Sequence, residues 1–201
     1  FFNNNTINVT WQGHNPNLLS ESDASELLYN DSSMLEFVEI FLRDCDTGIT
    51  KIDIKKYEDS DGYYPLFFHG NNLALKYYEE SSGTQELFIN LTQYFKTLST
   101  GGVYINDEFD NKLHQDILPL LLELFQDKDF NINNGQMIFT SQQSIVMDQS
   151  PMSRYNQYIV EKEDNESYTY RLDELGELTK TGKNLAPMYD AGRLGGTPNV
   201  K

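Results

Sequence analysis

Cysteine is nearly absent: Cys45 is the only one in 201 residues, so no disulfide can form within the chain. Basic residues are scarce as well, 15 Lys and Arg against 31 Asp and Glu, for a net charge of −16. A surface this acidic repels phosphate backbones, which argues against direct nucleic-acid binding by this segment. No apolar run approaches the ~20 residues that a membrane-spanning helix needs, and no signal-peptide pattern opens the chain. A cytoplasmic protein without membrane contact is expected. The three histidines, His14, His69 and His114, stand far apart and show no metal-ligand spacing. A glycine-rich phosphate loop is also missing. The nearest imitation, "GELTKTGKN" from Gly176 to Asn184, has five residues between its glycines and Asn184 where a hydroxyl belongs. No buried strand leads into it, so it reads as a decoy.

What is present suits a folded domain. Hydrophobic residues make up 38% of the chain and aromatics 13%, enough for a sizeable core. "TINVTW" alternates like a strand. Leu35, Val38, Phe41 and Leu42 recur at helical spacing and stop near Asp46-Thr47-Gly48. "ITKIDIKKY" and "LFFHG" read as strands around an exposed turn, "EDSDGYYP". After "ESSGTQ", one face of a helix carries Leu87, Phe88, Leu91, Tyr94, Phe95 and Leu98. A strand over 102–106, a helix from about Asp116 to Phe125 and a strand at "QMIFTS" then form a parallel βαβ unit. Pro119 is tolerable only in the first turn of that helix. A hairpin turning at Asp164-Asn165 follows, and the tail from Gly182 reads as irregular.

The chemistry concentrates where those strands end. Val103-Tyr104-Ile105 runs into Asp107 and Glu108, the position at which a parallel sheet presents side chains to a ligand crevice. An aspartate there can hold Mg²⁺, which favours one or two carboxylates with phosphates and water. Glu108 would then polarise an attacking water as general base. Taken alone, such a pair more often caps a helix or solvates a loop. Its company is more specific. Ser81, Ser82 and Gly83 precede an amphipathic helix, where backbone N–H groups attract anions. Thr140, Ser141, Gln142 and Gln143 end the second strand, again at the crevice.

In this order, "ESSGTQ … VYINDEFDNKLH … QMIFTSQQSIVMD … YNQYIVEK … YDAGRLGGTP" resembles the C-terminal half of ABC-type ATPase heads, in particular the abortive-infection (AbiL/RloA-like) branch, with the SMC group more distant. The resemblance covers roughly residues 35 to 201. It implies an α/β, partial P-loop NTPase sheet flanked by helices, with a helical lobe and a C-terminal hairpin. The whole of 1–201 would be one domain, with the helical lobe and signature over roughly 20–85 and the Walker B and switch lobe over 86–201. It further implies Asp107 on Mg²⁺ and Glu108 as base. Ser81, Ser82, Gly83 and Gln85 would form the signature motif, reaching ATP on a second subunit. Asp110, Asn111 and His114 would belong to the D-loop. Gln142 stands where the family usually has a switch histidine, a neutral side chain in place of one that can carry charge. The partners implied are a second copy, through an ATP sandwich, and an effector nuclease. The family's Walker A segment comes early, so a piece before Phe1 is expected to carry it and the 201 residues alone should not turn ATP over. A docking or dimerisation module without turnover remains an alternative. So does a glycosylated domain, suggested only by sequons such as Asn30-Asp31-Ser32 and Asn90-Leu91-Thr92.

Overall fold

The computed structural model describes residues 19–70, 73–149, 152–180 and 182–197, together with the backbone of three two-residue strands nearer the N-terminus. Those strands are β1 (Thr6–Ile7), β2 (Val9–Thr10) and β3 (Gly13–His14), of which β2 and β3 form a small antiparallel pair. "TINVTW" thus contributes two short strands; its side chains lie outside the described residues.

Two helices follow. In α1 (Glu21–Asn30), Ser20 and Asp23 cap the start reciprocally: the Ser20 hydroxyl accepts from the Asp23 N–H at 3.1 Å, and Asp23 accepts from the Ser20 N–H. Asp31 closes α1 and opens α2 (Ser32–Asp44), its carboxylate accepting from Ser33 N and Met34 N, both at 3.0 Å. Met34, Val38 and Leu42, at helical spacing, are the residues α2 buries.

Both helices pack on an antiparallel sheet of β4 (Ile49–Lys56), β5 (Tyr63–His69) and β6 (Leu73–Lys76), ordered β4-β5-β6. Ile52 pairs with Phe67 and Ile54 with Pro65 on the buried face, while Lys51, Asp53 and Lys55 point outward. A bulge between Ile49 and Lys51 shifts the register, and the Glu39 carboxylate accepts from the Ile52 N–H just beyond it at 2.8 Å.

The spine is α3 (Ser82–Thr100), buried without interruption from Leu87 to Tyr94. A helix buried on all sides needs cover on all sides, even though Asn90, Thr92 and Gln93 are among the buried residues. Phe88 meets Phe67 of the antiparallel sheet edge to face at 5.3 Å, and Tyr94 meets Tyr104 of the second sheet at 5.3 Å. That second sheet is parallel, ordered β1-β7-β8, with β7 (Val103–Asn106) central and β8 (Gln136–Phe139) beside it. Between β7 and β8 runs α4 (Leu118–Gln126), with Pro119 in its first turn, so the expected βαβ unit is present. The helix starts two residues later than its apolar pattern suggested.

Gly101 ends α3 in the left-handed region, φ 74°, and a Cβ there would lie 2.4 Å from the Asn133 carbonyl oxygen. Gly101→Ala is therefore expected to destabilise the domain by about 1–3 kcal/mol, read as a lower urea midpoint at unchanged slope.

The C-terminal part has a small core of its own. The hairpin of β9 (Tyr158–Glu163) and β10 (Glu166–Arg171) turns at Asp164 and Asn165, both at positive φ as a type I′ turn requires. Ile159 and Leu172 bury with Leu185 and Leu194. The tail is less irregular than expected, since it includes the short helix α5 (Leu185–Asp190), whose first two N–H groups are held by the Asp148 carboxylate.

Candidate functional site

Asp107 and Glu108 leave the carboxyl end of the central strand β7, where the sequence pattern placed them. Here the chain turns sharply, and Glu108 adopts φ 53°, an uncommon value for a residue with a side chain. Thr140, just beyond β8, holds this corner. Its N–H donates to Asn106 O at 3.1 Å and its carbonyl accepts from Phe109 N at 3.0 Å. Its hydroxyl donates to Asp107 Oδ1 at 2.5 Å and accepts from the Glu108 N–H at 2.8 Å. Both carboxylates are half-buried at the rim of the sheet.

The loop after Glu108 is pinned to the same strand end. Asp110 is buried, and its carboxylate accepts from the Gln142 and Gln143 N–H groups, each at 3.1 Å to Oδ2. The Gln142 side chain, itself exposed, reaches Glu108 Oε1 with a long donor contact of 3.4 Å. Asn111 donates its N–H to Glu108 O at 2.9 Å. His114 is exposed at the far end of this loop, its Nδ1 accepting from the Asp116 N–H at 3.3 Å.

The start of α3 packs on that loop. A Cβ on Gly83 would meet the Lys112 carbonyl oxygen at 2.9 Å, so only glycine allows this approach. Ser82 is exposed in the first turn. Ser81 is the N-cap, its hydroxyl accepting from Thr84 N at 3.1 Å, and Gln85 folds back to donate to Glu80 O at 2.8 Å. Ser81 stays exposed while making its bond, and Gln85 is half-buried. Deeper in α3, Glu86, Asn90 and Tyr94 stand four residues apart on one stripe. Lys112 Nζ lies 3.6 Å from Glu86 Oε2, Asn90 donates to Glu86 Oε1, Tyr104 OH donates to Asn90 Oδ1, and Asn106 donates to Tyr94 OH, the last three each at 3.1 Å. A polar chain thus ties the helix start to the strand that carries Asp107.

Other sequence candidates resolve differently. Among the described residues of "GELTKTGKN", Lys183 donates to the Glu177 carbonyl at 2.5 Å and the 3₁₀ turns end at Thr179, an arrangement unlike a phosphate loop. His69 is satisfied by Glu80 at 2.6 Å. Asn90 is 5% exposed inside a helix, which removes that sequon as a glycan acceptor in the folded chain.

Among the described residues, no group of three or more His, Cys, Asp and Glu side chains could hold a metal ion on its own. Magnesium does not need one. A single carboxylate at a strand end, completed by phosphates and water, is its usual donor set, and Asp107 fits it. The sequence placed Thr140 in the polar cluster at the crevice but not its bonds to Asp107 and Glu108, and it gave no sign of the Glu86–Lys112 contact; both depend on residues far apart in the chain. Among the described residues, no helix is long and apolar enough to cross a membrane.

Comparison with known proteins gives the family and the fold. A family model described as "AAA domain, putative AbiEii toxin, Type IV TA system" matches residues 2–148. No curated protein matches the sequence. A solved structure titled "Structural biochemistry of ATP-driven dimerization and DNA stimulated activation of SMC ATPases" is similar over 80% of this chain and 99% of its own, with a TM-score of 0.52 at 13% identity. The Smc head domain bound to the C-terminal domain of ScpA, derived from Pyrococcus furiosus, is similar over 78% of this chain and 39% of its own, with a TM-score of 0.47 at 13% identity. At such identity the first likeness concerns the fold, a partial P-loop NTPase sheet of the ABC-head type. The family match extends over well more than half of the sequence, and the chain belongs to that AAA-domain family.

Proposed function

We propose that the chain is the C-terminal part of an ATP-hydrolysing ABC-type head of the AbiL/RloA-like, phage-defence kind, cytoplasmic and active as an ATP-bridged homodimer. One observation carries the reading: the Asp107–Glu108 corner, the Asp110 loop and the Thr140–Gln143 strand end are locked together, with the start of α3 packed on the same loop. In this reading 1–201 is one domain, with the signature lobe over roughly 20–85 and the Walker B and switch lobe over 86–201. This reading requires a phosphate-gripping Walker A loop, a motif that the 201 residues do not contain.

Asp107 holds Mg²⁺, which when bound neutralises charge on the phosphate oxygens. Glu108 orients the attacking water and accepts its proton. Gln142 offers the switch position one neutral hydrogen-bond donor, which favours slow turnover. Ser81, Ser82 and Gly83 present the start of α3 to the nucleotide on the partner, with Gln85 beside them held by its bond to Glu80 O. Asp110, Asn111 and His114 line the loop facing the second subunit. The dimer would control an effector, a nuclease being the expected class. A docking module without turnover is the second reading, favoured by the Gln142 contact with Glu108.

Sedimentation of the complete protein separates them. Mg-ATP is expected to convert monomer to dimer, and a Ser82→Arg change to abolish the conversion. A dimer that forms equally well without nucleotide would favour the docking module.

A further inference from the structure

Thr140 stands apart from every other residue around the carboxylates, because all of its polar groups are directed at one four-residue stretch. Its N–H and carbonyl prolong the β7–β8 ladder to Asn106 and Phe109. Its hydroxyl adds two bonds that no ladder requires, to Asp107 Oδ1 at 2.5 Å and from Glu108 N at 2.8 Å. We infer that the Thr140 hydroxyl is a positioning group for the nucleotide site, fixing the rotation of the Asp107 carboxylate and the backbone of Glu108 through one oxygen.

The chemistry of a hydroxyl fits this double task. It carries one proton to give and lone pairs to accept with, so it can serve a carboxylate and an amide at once. The bond to a carboxylate is charge-assisted and correspondingly strong. It acts where the chain needs restraint, since Glu108 sits at φ 53° and such a conformation persists only when its surroundings impose it. The consequence is preorganisation: the metal-binding carboxylate and the base beside it are set before any ligand arrives. Serine would keep both bonds. Valine would keep the shape and the ladder while losing both, and its β-branched side chain suits a strand end. The inference rests on the nucleotide-hydrolase reading for its purpose, but its geometry can be tested independently.

The complete protein, as Thr140→Val and Thr140→Ser, provides the test through two measurements. Amide hydrogen exchange resolved to single residues is expected to show at least tenfold faster exchange at Glu108 in the valine variant, with the Phe109 amide, bound to the Thr140 carbonyl, unchanged. The Mn²⁺ concentration needed for nucleotide-dependent dimerisation is expected to rise about tenfold in the valine variant. Both effects should revert with serine. Unaltered Glu108 exchange in the valine variant overturns the positioning role, as does a serine variant that behaves like valine. If wild type neither binds nucleotide nor dimerises while Glu108 still exchanges faster in the valine variant, the hydrolase reading fails and the hydroxyl clasp stands.

Discussion

Glu108→Gln in the complete protein is expected to cut ATP turnover by about 100-fold or more and to accumulate an ATP-bound dimer. The reason lies in what the substitution keeps. Glutamine preserves the size of the side chain, and the backbone contact that fixes residue 108, its N–H on Thr140 Oγ1, is untouched. Asp107 and its hydrogen bond are untouched too. What disappears is the ability to take a proton from water, which is needed after nucleotide and partner have bound. Binding and dimerisation therefore persist while release fails. The measurement is steady-state ATP hydrolysis beside gel filtration with Mg-ATP; turnover at the wild-type rate would remove Glu108 as the base. Gln142 sharpens the comparison. Gln142→His would place an ionisable group beside Glu108 Oε1, where the native amide donates over 3.4 Å, and faster turnover is the expected direction.

Wherever a residue's fate depended on local pattern, the sequence was legible. Val103-Tyr104-Ile105 announced β7, Pro119 fell in the first turn of α4, and Asp164-Asn165 turned the hairpin. The parallel βαβ unit followed from those elements and the partial P-loop sheet from the family resemblance; the solved SMC ATPase structure shares the fold. Other parts depended on the tertiary arrangement. β6 is four residues at a sheet edge with mostly exposed side chains, so it carries no alternation to recognise. α5 is short and contains Pro187, and it begins where Asp148, 37 residues away, accepts from its first N–H. Ser81 and Gln85 could be placed near the start of α3 from sequence, but not their turning back onto Thr84 and Glu80. Thr140 acts on residues more than thirty positions earlier in the chain, a relation that no spacing rule encodes. Residue types at the site were thus readable, while the bonds that orient them had to come from the parallel pairing of β7 and β8.

Stability is expected to fall steeply with pH above the tyrosine range, because the spine of the domain is built on buried phenols. Tyr94 and Tyr104 are 0% and 2% exposed and meet ring to ring between α3 and β7. Burial pushes both phenols well above the usual tyrosine range, with the Glu86 carboxylate adding to the effect on each. Tyr77, more accessible, is pushed up to about 12 by burial and then by Glu86 and Glu21. An unfolded tyrosine titrates near about 10. Below that pH both states keep their phenolic protons and the buried tyrosines contribute their full stability. Above it the unfolded chain releases protons that the native state retains, so stability falls as pH rises. Each such group contributes a slope of roughly 1.4 kcal/mol per pH unit, or about 3 kcal/mol per unit for the buried pair. Against a total of about 5–15 kcal/mol for a domain, that loss becomes decisive within a few units above pH ~10. Phenolate absorbance and circular dichroism followed together should show the last tyrosines ionising only as structure is lost. Tyr104→Phe separates this from general base denaturation. It removes a hydrogen bond to Asn90, worth about 1 kcal/mol near neutrality, yet should flatten the alkaline decline by roughly 1.4 kcal/mol per unit. If all tyrosines ionise near pH 10 with the fold intact, the two rings are not closed off from water and the packing of α3 on β7 is looser than described.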